Sequence, residues 1–349
     1  MNSIRAGIAA AALLSLTLLP LQPAQAAGRD SLRGAAQGTG LRVGTAVDTT
    51  ALADDAPYRA AVAREFSTVT PENVMKWGLL EPQQGDYDWS AADELVDFAR
   101  QNGQTVRGHT LVWHSQNPDW LTEDAFTPAQ LRQLLRKHIR DVVGHFKGRI
   151  WHWDVVNEAF NDDGTLRDTI WLRNLGPGYI ADAFRWAHEA DPKAKLYLND
   201  YNNEGLSPKS DAYLALVRQL LRAGVPVDGY GIQGHLALQY DFPTGVRENL
   251  RRFERLGLQT AFTEVDVRMQ LPADPIKVQA QAQSYNALLQ ACLLADRCVS
   301  FTVWGFTDRY SWVPGVFDGE GSATLTDEEL TPKPAYYTLR DTLTLSGRG

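Results

Sequence analysis

Short runs of β-branched and aromatic residues alternate along the chain with longer stretches whose apolar positions recur every three to four residues, the two periods of strand and helix. The strand-like runs fall at residues 43–47, 67–70, 105–109, 151–157, 195–200, 229–233, 260–264 and 300–304. Between them helical periodicity covers 91–101, 128–146, 179–190, 208–223, 246–256 and 278–296. Several of these stretches open on Ser, Thr or Pro, which satisfy or dispense with the first free N–H groups of a helix. Such alternation builds a parallel sheet, and eight strands suit closure into a single-domain α/β (β/α)8 TIM barrel; an open doubly wound sheet is the competing arrangement. No Ser/Gly or Pro-rich linker interrupts residues 41–345, so one domain is expected there, after a loose lead-in at 27–40 and before a frayed end at 346–349.

The first 26 residues break this rhythm. One early cation, Arg5, precedes an apolar run over 7–19 and an Ala24-Gln25-Ala26 end, the layout of a cleavable secretory signal peptide. The run is shorter than the roughly 18 to 20 residues that span a bilayer, and no later stretch is long enough, so the expected product is secreted with no membrane partner. Losing Arg5 takes the formal net charge from −8 to −9, a balance that repels phosphate backbones and argues against a nucleic-acid partner. In an exported chain the only two cysteines, Cys292 and Cys298, read as a local disulfide at the start of the last strand.

In a barrel every strand points the same way, so the strand C-termini form one ring around one mouth. Polar residues collect there: Glu72 and Asn73 after the second strand, His109 at the third, Asn157 and Glu158 at the fourth, Asn199 and Asp200 at the fifth, Gln233 and His235 at the sixth, Glu264 at the seventh, with Trp304 ending the eighth. Two carboxylates among amides, imidazoles and tryptophans fit cleavage of a glycosidic bond, which needs a proton for the departing oxygen and an anion for the developing oxocarbenium ion. Glu158 stands among Trp151, Trp153 and Phe160, an apolar neighbourhood that would raise its pKa and keep it protonated. Glu264, with Asp266 two residues on and His235 on the adjacent strand, would be held ionised. For either glutamate alone, an ordinary rim salt bridge is the competing explanation. Trp113, Trp304 and Trp312 lie at or beyond strand ends and read as sugar platforms, whereas Trp89, Trp151, Trp171 and Trp186 read as core. Gly229-Tyr-Gly231-Ile-Gln-Gly234 matches a dinucleotide fingerprint without a helix to follow it, and no ligand spacing or serine elbow is present, so neither cofactor nor metal is expected.

The motifs around these residues resemble glycoside hydrolase family 10, the (β/α)8 endo-β-1,4-xylanases, over roughly residues 44–342. They are Thr70-Pro-Glu-Asn-Val-Met-Lys76-Trp77, Arg107-Gly-His-Thr-Leu-Val-Trp-His114, Trp153-Asp-Val-Val-Asn-Glu158, Leu198-Asn-Asp-Tyr-Asn202, Gly231-Ile-Gln-Gly-His235, Thr263-Glu-Val-Asp266 and Val303-Trp-Gly305. The resemblance implies a retaining hydrolase of internal xylan bonds, with Glu158 as acid/base, Glu264 as nucleophile and His235 in contact with it; the residues themselves place Asp266 behind His235. It also implies that Glu72, Asn73, Lys76, His109, Trp113, Gln116, Asn157, Tyr201, Asn202, Gln233, His235, Trp304 and Trp312 bind the substrate, and it matches the Cys292–Cys298 pair. Xylan and xylo-oligosaccharides are the expected partners of a monomeric enzyme. A mixed β-1,4-glucanase/cellobiosidase on the same barrel and an inactive polysaccharide-binding barrel are the alternatives.

Overall fold

The computed structural model describes residues 30–123 and 125–347. Eight strands form its staves: β1 (Arg42–Val47), β2 (Thr68–Pro71), β3 (Thr105–Gly108), β4 (His152–Asn157), β5 (Lys195–Asp200), β6 (Gly229–Ile232), β7 (Gln259–Gln270) and β8 (Cys298–Val303). Each pairs in parallel with its sequence neighbour, and β8 returns to β1 from Arg42↔Ser300 to Thr45↔Val303. The ring is closed, which decides for the barrel over the open sheet. The expected helices surround it at Ser90–Gln101, Pro128–His145, Tyr179–Ala190, Pro208–Arg222, Val246–Glu254 and Pro275–Leu293. Three start on a side-chain cap followed by proline: Thr127, Ser207 and Asp274 each accept from a first-turn N–H.

The lead-in expected to be loose is in part folded. Leu32–Ala36 is a short helix capped by Ser31, with Leu32, Ala35 and Ala36 buried. The Leu32 N–H and the Tyr336 hydroxyl both donate to Glu65 Oε2 at 2.9 Å, which ties the start of the domain to its final helix, Pro334–Ser346. A five-residue Leu/Ala helix is too short for periodicity to disclose. The leader at 1–26, the first residues of the lead-in and residues 348–349 lie outside the described residues. Among the described residues no helix is long and apolar enough to cross a membrane.

β7 overruns its expected end at residue 264 because its second half finds partners of its own. The strand His235–Ala237 adds to it in parallel, and Glu320–Gly321 in antiparallel. Of three register shifts along the β4–β5 and β7–β8 pairings, two put an extra residue on a strand that carries a glutamate. Along β4, Asp154 faces Tyr197 but Val156 faces Leu198; along β7, Phe262 faces Phe301 but Val265 faces Val303. In each case the glutamate strand holds one extra residue, the mark of a β-bulge, which bends a strand and re-aims its side chains. Close packing between staves also constrains β3. A methyl on Gly108 would lie 2.2 Å from Trp153 Cε3, so only glycine leaves room for that buried indole. Cys292 and Cys298 are bonded, Cα atoms 5.2 Å apart, stapling the end of helix Pro275–Leu293 to the start of β8.

Candidate active site

At the C-terminal mouth a cavity of about 640 Å³ is lined by the expected set: Glu72, Asn73 and Lys76 after β2; His109, Trp113 and Gln116 after β3; Asn157 and Glu158 from β4; Tyr201 and Asn202 after β5; Gln233 and His235 after β6; Glu264 on β7; Trp304 and Trp312 after β8. A neighbouring cavity of about 810 Å³ shares Asn202, His235 and Arg268 with it, so the cleft is longer than one sugar ring.

Glu264 is buried at the centre. Its Oε1 accepts from Arg107 Nη2 at 2.9 Å and from Asn199 Nδ2 at 2.8 Å, while Oε2 faces His235 Nε2 at 3.3 Å. Burial alone would raise its pKa. The charge of His109, the bond from His235 and the charge of Arg107 outweigh that and hold the carboxyl well below the usual range. His235 also meets Asp266 Oδ1 at 3.0 Å through Nδ1; burial opposes its charge, but Asp266 and then Glu264 lift its pKa to about 10, so it stands as imidazolium. Asp266 is fixed in turn by the Trp312 indole N–H at 2.7 Å.

Glu158 follows β4 with left-handed backbone, φ 55°, its N–H donating to the Asn199 carbonyl at 2.8 Å. Its Oε2 accepts from Trp113 Nε1 and meets His114 Nε2, each at 2.8 Å; its Oε1 accepts from Gln233 Nε2 at 3.1 Å and Asn157 Nδ2 at 3.3 Å. Burial pushes the carboxyl up, yet the bonds from His114, Trp113 and Gln233 prevail and hold it below its ordinary value. This corrects the raised pKa expected from the apolar sequence neighbours. Those neighbours face elsewhere: Trp153 packs toward Phe146, Trp151 stacks with Arg42, and Phe160 meets Tyr213 edge-on.

On the β2 side, Lys76 Nζ donates to Asn73 Oδ1 at 2.8 Å and Gln116 Oε1 at 2.7 Å and lies 5.1 Å from the Trp113 ring centre. Glu72 beside it is pushed up to about 7 by burial and then by Asp48, against the pull of Lys76. Trp171, read as core, is core, and it also braces the mouth by donating to the Trp113 carbonyl at 3.0 Å.

Three residues that shape the site were not singled out from the sequence, Arg107, His114 and Asp154, and Asn199 was placed at the mouth without a role. Fully buried Arg107 bonds Glu264, Asp154 and the Thr263 carbonyl, and Asp154 also meets His109 Nδ1 at 2.9 Å. A charged arginine inside an otherwise apolar strand was the available signal, since a buried cation requires anions around it. His109, Asp154 and Glu264 converge closely enough to suggest a metal site, but Arg107 already bridges the two carboxylates, so a metal ion would meet a like charge. The glycine-rich Gly229–Gly234 segment forms β6 and its exit, and leads into strand His235–Ala237 rather than a helix.

A family model described as glycosyl hydrolase family 10 matches residues 31–342. An endo-1,4-beta-xylanase of Agaricus bisporus is 45% identical over 300 residues, 85% of this chain and 90% of that protein. Endo-1,4-beta-xylanase B of Thermotoga neapolitana is 41% identical over 313 residues, 89% of this chain and 90% of its own. Among solved structures, xylanase 10B of Thermotoga petrophila in complex with xylobiose superposes with a TM-score of 0.88 at 42% identity, covering 91% of this chain and 98% of that one.

Proposed function

The chain belongs to glycosyl hydrolase family 10, and on that premise we propose that it is a secreted, monomeric endo-1,4-β-xylanase that cleaves internal bonds of xylan with retention, Glu158 as acid/base and Glu264 as nucleophile. The observation that carries this reading is the unequal setting of the two carboxyls. Glu264 is clamped as an anion by Arg107, Asn199 and His235, whereas Glu158 touches only uncharged donors and one titratable imidazole.

In the first step Glu264 attacks the anomeric carbon while Glu158 gives its proton to the glycosidic oxygen, and the bond to the leaving sugar breaks. In the second, Glu158 takes a proton from water, whose oxygen attacks the same carbon and frees the Glu264 carboxylate. Asn157, whose Oδ1 accepts from Asn199 Nδ2 at 2.8 Å, meets the sugar 2-hydroxyl in this reading. His109 and Lys76 bind the sugar around the cleavage position, with Gln116 joined to Lys76; Glu72 and Asn73 grip the next unit toward the non-reducing end, and Tyr201 and Asn202 face the leaving group. Trp113, Trp304 and Trp312 wall the cleavage position. A hydroxymethyl group on the sugar would crowd that wall, and excluding a carbon-sized group is worth about 1–3 kcal/mol, which favours xylan over glucan without abolishing glucan cleavage. The adjoining second cavity suits a polymer that runs past the point of cleavage.

The test compares reducing ends released from xylan and from carboxymethylcellulose. Xylan is expected to be the faster by about tenfold or more, and Glu264→Ala should remove turnover on both. A protein faster on the glucan would reverse the substrate; one that binds xylan but never cuts it would be a binding barrel.

A further inference from the structure

On the leaving-group side, Tyr201 sits in a web of charges that has no part in the double displacement itself. Arg167, in the loop after β4, donates from Nε to the Glu158 carbonyl at 3.0 Å and from Nη2 to the Tyr201 hydroxyl at 2.8 Å and the Phe160 carbonyl at 3.3 Å. Against the ring of Tyr201 lies Lys209 Nζ, 3.8 Å from its centre. That lysine is wholly buried and paired with Asp200 at 2.9 Å and Asp162 at 3.0 Å, and Asp162 accepts from Asn202 Nδ2 at 3.1 Å. The ring is therefore held at its hydroxyl by one cation and on its face by another.

The same arginine bears on the backbone of Glu158. A left-handed non-glycine residue costs of order 1–3 kcal/mol and persists only where its surroundings fix it. Here the fixing is two-sided: the Glu158 N–H is taken by Asn199 O, and its carbonyl is held by Arg167. One planar guanidinium, rigid in its fork of donors, thus joins the carboxyl-bearing residue to the aromatic plate that faces the departing sugar.

We propose that Arg167 is a positioning residue that ties the backbone of Glu158 to Tyr201, so that the leaving sugar and the proton it receives are brought into register by one side chain. The proposal rests on the acid/base reading of Glu158. It separates substrates by their need for that proton.

In Arg167→Met, kcat/KM for xylohexaose is expected to fall about 10- to 100-fold, the loss that a misplaced reacting group brings. The same variant should lose no more than about threefold on 2,4-dinitrophenyl β-xylobioside, whose phenolate departs without general-acid help. Across a series of aryl xylobiosides, log(kcat/KM) should depend more steeply on leaving-group pKa than in the parent, and Tyr201→Phe, which removes one end of the tie, should steepen it in part. Equal losses on both substrates, or none on either, overturn the proposal, as does an unchanged slope in Tyr201→Phe. Should Arg167→Met fail to fold on thermal melting, Arg167→Lys, which keeps the charge but cannot bridge both ends, carries the same slope test. A parent protein that leaves xylohexaose intact is a different result and sinks the xylanase reading instead.

Discussion

At the residue scale, Glu158 supplies the proton that the proposed reaction needs. Its proton is present only below its pKa, and in the free protein His114, Trp113 and Gln233 hold that pKa below the ordinary carboxylate value against the effect of burial. If a bound sugar engages Trp113 and Gln233 and excludes water, those donors are drawn off Glu158 and burial gains. The alkaline limb of kcat, which reports the bound complex, should therefore lie at higher pH than the alkaline limb of kcat/KM, which reports the free enzyme. Rate profiles on xylohexaose check this; coincident limbs, or a kcat limb at the lower pH, would contradict it. The positions of both glutamates at the mouth were legible because strand ends and motifs mark them. The sign of the Glu158 shift was not: adjacent letters are apolar, while the groups that set its pKa arrive from Trp113, His114 and Gln233 on other strands. The contacts of His235 with Glu264 and Asp266 were legible because a strand's period of two brings residues 264 and 266 to one face.

At the scale of elements, the eight staves and six of the surrounding helices were read because closure of the barrel buries both faces of every strand, whereas helices Ala56–Glu65 and Pro334–Ser346 and the second half of β7 were not. The bulges on β4 and β7 were invisible, since one extra residue alters no periodicity that a short strand can show, yet each lies just before or at the residue it re-aims. Gly108 tests the tightness of this packing. Gly108→Ala forces a methyl against the buried Trp153 indole and should destabilise the protein by about 1–3 kcal/mol, read as a lower urea midpoint at unchanged m. Gly144→Ala, in helix Pro128–His145 with open space around it, should leave the midpoint equal or raise it, by up to about 1 kcal/mol. A Gly108 variant as stable as the parent would mean that the ring yields.

At the scale of the whole molecule, two buried histidines oppose the uptake of acid by the fold. Burial pushes His138, stacked 3.7 Å from the Trp77 ring, and His152, within the barrel, down to about 3. Both stay neutral in the native state while the unfolded chain takes up protons below about pH 6.5. The unfolded state thus binds more protons between about pH 6.5 and 3, and each histidine removes about 1.4 kcal/mol of stability per pH unit within that window. Glu72, raised to about 7, and Asp200, raised to about 6, work in the opposite direction, so the histidine contribution is read as a difference: in urea titrations from pH 7 to 4, stability of His138→Phe should fall less, or rise more, than that of the parent by about one proton's slope, and an equal slope would discharge His138 from the effect. The cooperative fold these groups belong to exists to bring two strand ends together, and the division of labour between Glu158 and Glu264 can be read from one product. When Glu158→Ala turns over an aryl β-xylobioside in azide, the anion should enter from the face Glu158 vacates and yield the β-xylobiosyl azide, seen by proton NMR with the rate restored. Formation of the α-azide would place the nucleophile at Glu158 and contradict the assignment.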